Sequence, residues 1–578
     1  MTEQQPMIQF SDVSFQYRSQ EAPTLQHINL TIHKGEKVFI TGPSGSGKST
    51  LGNLINGVIP EEFPGKLTGE VTINGKPQSE LDLTDLSFEV GTVLQDPDSQ
   101  FVGLTVAEDV AFALENDAQK VDVLHRKVAE WADRLNLKAL LNKHPQDLSG
   151  GQKQRVALAG VLIDNEPMLL LDEPLANLDP AAGRASMKLL DWLVSQQDLT
   201  VIIIDHRIEE VLQIPIDRMV ILADGRVAAD DTPEHILKQN ILLKNGLREP
   251  LYVTALKAAG IDIRAVERLD DLVGLNLTTD QQTQLTSWVA NLPQPKETKK
   301  ADPIISLRGL TFAYPDEEKI FDKFDLTIHR GEMAALVGRN GTGKTTLINL
   351  ITGFLKPTSG RLLFGDTDIS TDSVKQRADR IGYVLQDPNQ MISKTMIFDE
   401  VALGLELRGV DSETTKKRVF DTLKITGLYP YRNWPISALS FGQKKRVTIA
   451  AALVLRPEVL ILDEPTAGQD LAHYAQMMDF LVALNRQQGT TVLMVTHDMN
   501  LMMAYADRTI VLDQGRVLED AAPAKVLTNQ AVIAKAHLAQ LSLQVLAEKV
   551  GAPDPIAFAE KFIAYERSTH DGESTVII

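Results

Sequence analysis

The chain has 578 residues, a net charge of −19, 43% hydrophobic and 23% charged residues. That length exceeds one hydrophobic core and suits two large units, and the acidic balance argues against a nucleic-acid-binding surface over the whole molecule. The absence of cysteine removes disulfides, thiolate zinc sites and cysteine-ligated iron–sulfur clusters.

The first residues, MTEQQPMIQF, lack the basic-then-apolar pattern of a signal peptide. No apolar stretch reaches the roughly 18 residues of a spanning helix, so work at a membrane needs another chain to cross it. A β-like stretch, IQFSDVSFQY, precedes the apolar run KVFIT and the loop GPSGSGKST, Gly42 to Thr50. Strand, glycine loop and helix in that order form a phosphate-binding unit. Gly42, Gly45 and Gly47 let backbone N–H groups approach phosphate oxygens, with Pro43, Ser44, Ser46 and Thr50 completing the loop. Lys48 is suited to the β and γ phosphates and Ser49 to Mg²⁺.

Further along come the turn NGK at Asn74, Gln95 before DPDSQ, LSGGQ at Leu148 to Gln152, MLLLDEP ending in Asp172 and Glu173, VIIIDH ending in His206, and the turn ADGR at Ala223. The aliphatic runs read as buried parallel strands and the turns as peripheral hairpins. A carboxylate at the end of such a strand lies where ligands gather in open α/β sheets. Asp172 is suited to Mg²⁺, and Glu173 to polarising an attacking water. Gln95 can take a place at the metal and orient water without titrating, and His206 is suited to the γ-phosphate. A helical annex with LYVTALKAAG follows, and then NLPQPKETKKADP, a linker rich in proline and charge.

The whole order then repeats. IISLRGLTFAY and MAALV lead into Gly338, Arg339, Asn340, Gly341, Thr342, Gly343, Lys344, Thr345 and Thr346. From the glutamine onward the offset is a constant 291 residues: Gln95 to Gln386, Leu148 to Leu439, Asp172 to Asp463, Glu173 to Glu464, His206 to His497, and Gly260 to Gly551 in the annex. Lys344, Thr345, Asp463, Glu464, Gln386 and His497 therefore inherit the roles of their first-half counterparts. The expected division is a first domain over 1–290 (core 7–245), a linker over 291–303 and a second domain over 304–578 (core 304–535), with the C-terminal HDGESTVII expected to fray.

Taken together, these motifs resemble the ATPase domains of ABC transporters: Walker A, Q-loop, signature, Walker B, D-loop (Asn177 to Asp179, Gly468 to Asp470) and switch histidine, over most of the chain. The resemblance implies an α/β fold of two tandem P-loop ATPase domains, each with a parallel core sheet, an antiparallel β subdomain, a helical signature subdomain and a helical annex. It implies ATP and Mg²⁺ as ligands, and head-to-tail pairing of the two domains within one chain. Lys48, Glu173 and His206 would then work with Ser440, Gly442 and Gln443, and Lys344, Glu464 and His497 with Ser149, Gly151 and Gln152. Tyr17 and Tyr314 match the aromatic that stacks on adenine.

The segment QDPDSQFVGLTVAEDVAFALEN, the second signature ALSFGQKKRVTIAAALVL and the annexes further resemble the energy-coupling-factor importer ATPases. That implies a transmembrane coupling subunit, a small membrane substrate-binding subunit, a peripheral place at the cytoplasmic face of the cell membrane, and uptake of a vitamin, vitamin precursor or metal ion. Segments 95–109 and 386–400, with Asp96, Asp98, Glu108, Asp387 and Asp399, are expected to receive the partner's coupling helices by charge. Phe441 and Gln469 break the repeat, so unequal but active sites are expected, with Phe441 in ordinary backbone geometry. Another ABC importer or exporter shares every catalytic residue. A soluble tandem translation factor would carry a long charged linker and a basic balance, and a DNA-repair ATPase would need zinc cysteines or a coiled-coil insertion.

Overall fold

The computed structural model describes residues 5–18, 20–176, 178–196, 199–294, 301–315, 318–465 and 471–573. The chain divides into two units, 1–281 and 282–578. The expected boundary at 290 lies nine residues further on, within the helix Thr279–Asn291. Trp288 explains the difference: its indole packs against Phe562 and Tyr565, 6.2 and 5.1 Å between ring centroids, and Lys561 donates to the Ala290 carbonyl. Aromatic burial thus carries the end of this helix into the second unit.

In unit one a six-stranded sheet runs in the order Arg226–Asp231, Arg218–Ala223, Lys37–Thr41, Thr200–Ile204, Met168–Asp172, Val90–Val93. All neighbours are parallel except the edge hairpin at Ala223 to Arg226. The aliphatic runs are buried on both faces, as a covered parallel sheet requires. A four-stranded antiparallel sheet built on Pro6–Tyr17 lies in the same core. Phe10, Phe15 and Ile28 from it meet Leu51, Leu54 and Ile55 of helix Lys48–Ile55, and Leu170 and Ile204 of the parallel sheet.

Unit two repeats the arrangement. Its sheet runs Ile381–Val384, Val459–Asp463, Thr491–Val495, Met333–Val337, Arg508–Asp513, Arg516–Ala521. Helices Ile397–Glu406, Ser412–Ile425 and Phe441–Leu453 form a separate helical layer around Val401, Leu405, Leu423 and Val447. In both units the strand before the phosphate loop is central, so the loops after three adjacent strands converge at one sheet edge.

The annexes are helical as expected. Gly260 and Gly551, at φ 74° and 66°, follow helices Leu251–Ala258 and Ser542–Lys549, where a left-handed residue stops the helix and a side chain would be strained. Helix Pro555–Glu573 runs into the C-terminal segment expected to fray; residues 574–578, the middle of the linker at 295–300, and the D-loop positions Asn177, Gly468, Gln469 and Asp470 lie outside the described residues. Asp179 is described, and its carboxylate caps the helix Pro180–Ser195 through the Ala182 N–H.

Behind the first sheet, Glu166 has a buried oxygen with no hydrogen-bond partner. Burial, then Asp164 and Asp117, push this carboxyl up to about 7. Because the folded state binds this proton more tightly than the unfolded chain, stability is greatest below the unfolded value of 4.5 and is lost as pH rises through 7. Glu166→Gln is expected to stabilise the first unit by roughly 3 kcal/mol at pH 8 and by about 1 kcal/mol or less at pH 5. Thermal melts of the two chains at both pH values check this.

Candidate functional site

Each phosphate loop leaves its central strand and turns into a helix whose start is open. Gly47 and Gly343, at φ 100° and 98°, begin helices Lys48–Ile55 and Lys344–Thr352 with no side chain capping the first N–H groups. A Cβ on Gly47 would stand 2.5 Å from Leu25, so glycine is required there by conformation and by space. A helix start with no side-chain cap and the helix dipole attract an anion. Lys48 is only 8% exposed, and its Nζ donates to the carbonyls of Gly42 and Pro43 at 2.7 and 3.0 Å. Lys344 does the same with Gly338 and Arg339 at 2.6 and 2.8 Å. Loop and lysine hold each other in shape.

The acid pairs end the strand next but one to that of the phosphate loop. Burial, then Glu173 and Asp205, push Asp172 up to about 6. Burial also raises Glu173 and Asp463, and with Asp463 beside it pushes Glu464 up to about 8. Lys48 and Lys344 oppose these shifts, which puts each lysine within electrostatic reach of its acids. Glu173 and Glu464 sit at φ 45° and 41°, left-handed geometry that costs a non-glycine residue about 1–3 kcal/mol and persists where surrounding bonds enforce it. Here Glu173 N–H donates to the Ile204 carbonyl at 2.7 Å, and Glu464 N–H to Val495 at 2.9 Å.

The two sites differ around those acids. In the first, Gln95 Nε2 donates to Glu173 Oε2 at 2.6 Å. His206 follows the fully buried Asp205, whose carboxylate accepts from the N–H groups of His206, Arg207 and Leu175. In the second, Glu464 Oε2 accepts from Thr496 Oγ1 at 3.3 Å and from His497 N–H at 3.4 Å. His497 Nε2 stands 3.8 Å from Glu464 Oε1, and Tyr383 donates to Asp463 at 3.3 Å. Lys445 lies beneath both, its ammonium lowered to about 8 by burial and held up by Asp463, Glu464 and Asp387.

Tyr17 and Tyr314 stand beside their phosphate loops, with hydroxyls 3.0 and 3.3 Å from Thr50 and Thr346. Ser149 and Ser440 begin the signature helices, where Gln152 and Gln443 accept from their N–H groups at 3.0 and 2.9 Å. Phe441 is the first residue of its helix, so its ordinary helical backbone explains why phenylalanine is tolerated where Gly150 stands in the first half.

The acids of the 95–109 segment also make contacts within the first unit. Asp98 pairs with Lys153 at 2.6 Å, Asp96 caps the following turn, Glu108 completes a capping box with Thr105, and Asp109 accepts from Val102 and Gly103. Beside the exposed Asp96, Asp98 and Glu108, the segment exposes two large apolar side chains, Val102 at 63% and Leu104 at 73%. A pocket of about 150 Å³ lined by Gln95, Asp96, Asp98, Lys153 and Pro174 lies beside it. Sequence reasoning missed Asp205, Tyr383, Thr496 and Lys445. Asp205 carried a readable signal, a charge ending an aliphatic strand.

Residues 25–176 and 321–467 match the family model described as ABC transporter. The chain belongs to the ABC transporter ATP-binding family. Residues 239–312 match a second model, described as ATP-binding cassette cobalt transporter. The ABC transporter ATP-binding protein of Lactiplantibacillus plantarum is 56% identical over 97% of this chain and 99% of its own length. One from Enterococcus faecalis is 53% identical over 98% and 100%. A solved structure of cbiO1 from Clostridium perfringens, part of the ABC transporter complex cbiONQ, is 37% identical over 40% of this chain and 94% of that one, with a TM-score of 0.38.

ABC ATPases bind ATP, normally with Mg²⁺, and membership implies ATP hydrolysis coupled to transport. The residues fit the metal: Asp172 Oδ1 is buried without a hydrogen-bond partner, a carboxylate oxygen that a hydrated divalent cation satisfies. Ser49, Asp172 and Gln95 in one half, and Thr345, Asp463 and Gln386 in the other, would hold Mg²⁺, which neutralises charge on the phosphate oxygens. Lys48→Ala and Lys344→Ala should each weaken ATP binding at one site by about tenfold to a hundredfold. Calorimetric titration checks this, and unchanged binding in either variant contradicts the phosphate role.

Proposed function

We propose that this chain energises energy-coupling-factor-type uptake of a vitamin, a vitamin precursor or a metal ion. It would act through a transmembrane coupling subunit and a small membrane substrate-binding subunit, at the cytoplasmic face of the membrane. The observation that carries the subclass is the match of residues 239–312, the first annex and linker, to a model named for cobalt transport. Among the described residues no helix is long and apolar enough to cross a membrane, which fits a role served by separate membrane chains.

The proposed cycle uses two complete residue sets. ATP binds at Lys48 and Lys344, and the halves close head to tail so that Ser440 and Gly442 meet one γ-phosphate and Ser149 and Gly151 the other. The N-termini of the signature helices, with Ser149 and Ser440 at their caps, carry the positive end of the helix dipole and suit that contact. ATP drives closure only through tighter binding to the closed form, which these cross-domain contacts supply. Glu173 and Glu464 then take a proton from the attacking water, and loss of the γ-phosphate releases the closed state. The partner docks on the 95–109 surface, where Val102 and Leu104 offer apolar contact beside the Q-loop pocket.

In the chain carrying Glu173→Gln and Glu464→Gln together, ATP should still bind while turnover falls by about a thousandfold, measured by phosphate release; undiminished turnover removes both glutamates from the chemistry. Val102→Glu with Leu104→Glu should abolish co-purification of membrane proteins from detergent extracts without changing the melting temperature. Co-purification at the wild-type level would exclude that surface.

A further inference from the structure

The two halves differ most at one buried position behind the acids. Lys445 in the second half has no exposed surface. Its Nζ donates to four main-chain carbonyls: Leu385 and Gln386 of the Q-loop at 2.8 and 2.7 Å, and Asp463 and Glu464 at the strand end at 3.3 and 3.4 Å. An ammonium has three protons, so the two longer contacts share donors. The matching residue in the first half is Gln154, also buried. Its Nε2 donates to the Pro174 carbonyl at 2.7 Å, and its Oε1 has no partner. The preceding lysine is shared by both halves and also reaches the Q-loop, Lys153 to Asp98 and Lys444 to Asn389. Of this pair of helix positions, only the second differs between the halves, Gln154 against Lys445.

Burying an ammonium costs free energy that an apolar side chain of the same length would not. Four carbonyl contacts offset that cost only if the two segments stay together. One of them is the carbonyl of Glu464, the residue held in left-handed geometry. The first half joins its Q-loop to its acid differently, through the direct Gln95–Glu173 bond.

We propose that Lys445 is a positioning residue of the second ATP site: its buried ammonium clamps the Q-loop backbone to the Walker B turn and so sets Gln386 against Glu464. This rests on the reading of Glu464 as the residue that activates water. The clamp makes the second Q-loop move with its acid, whereas in the first half the Gln95 side chain makes that link to Glu173.

The test compares the full-length chain with Lys445→Gln, which copies the first half, and Lys445→Met, which keeps length and packing without the charge. ATP turnover and hydrogen exchange of the Q-loop amides are measured in each. Both variants should lower kcat at unchanged KM, about twofold if the sites fire independently and tenfold or more if they fire together, since small displacements of a reacting group cost rates of this size. Amide exchange should rise in residues 385–391 and not across the second unit. The proposal is overturned if kcat is unchanged, if kcat falls only with a matching rise in KM, or if exchange rises uniformly. Turnover that survives Glu464→Gln together with Glu173→Gln would instead refute the underlying role of Glu464, a result separable from any effect at Lys445.

Discussion

Carboxylates forced out of water beside a captive lysine are the constraint on which each half depends. The sheet places the Walker B acids on the strand next but one to that of the phosphate loop, so Lys48 faces Asp172 and Glu173, and Lys344 faces Asp463 and Glu464. Burial alone favours the protonated form of such acids. The lysine opposes that, and is itself held by carbonyls of its own loop. Cation, acids and open helix start therefore form one preorganised electrostatic unit, shaped for a phosphate chain with its metal.

Around that shared unit the halves are wired differently. The first uses the buried Asp205 carboxylate to tie the switch histidine to the loop after Walker B, and a glutamine side chain to reach the acid. The second has Thr496 in place of Asp205, brings His497 close to Glu464, adds the Tyr383 hydroxyl at Asp463, and places Lys445 under the strand end. The inequality thus lies in the supports of the acids, and only partly at Phe441, which the helix geometry absorbs without strain.

Much of this was legible in the sequence because it is written in local patterns. Glycines at fixed spacing before Lys48, aliphatic runs ending in acids, and a constant offset between halves report backbone geometry and strand burial directly. Lys445 was not legible, because a lysine in a signature helix reads as a solvated residue until packing shows which way it faces. The acids of the Q-loop segment were legible as charge, but their local partners were not: Asp98 pairs with Lys153, and Glu108 and Asp109 bond within the loop beside the exposed Val102 and Leu104. Likewise no local signal showed that Trp288 would seat the end of the first annex in the second unit, since its aromatic partners lie some 270 residues away.

The central claim is that one chain holds two complete ATP sites that work at unequal rates. Rapid-quench measurement of the first turnover in the full-length chain, pre-loaded with ATP and started with Mg²⁺, tests it most directly. The account predicts two phases of hydrolysis, each with an amplitude of one ATP per chain and each with its own rate. A total amplitude of one ATP per chain, or a single phase accounting for both, would contradict it.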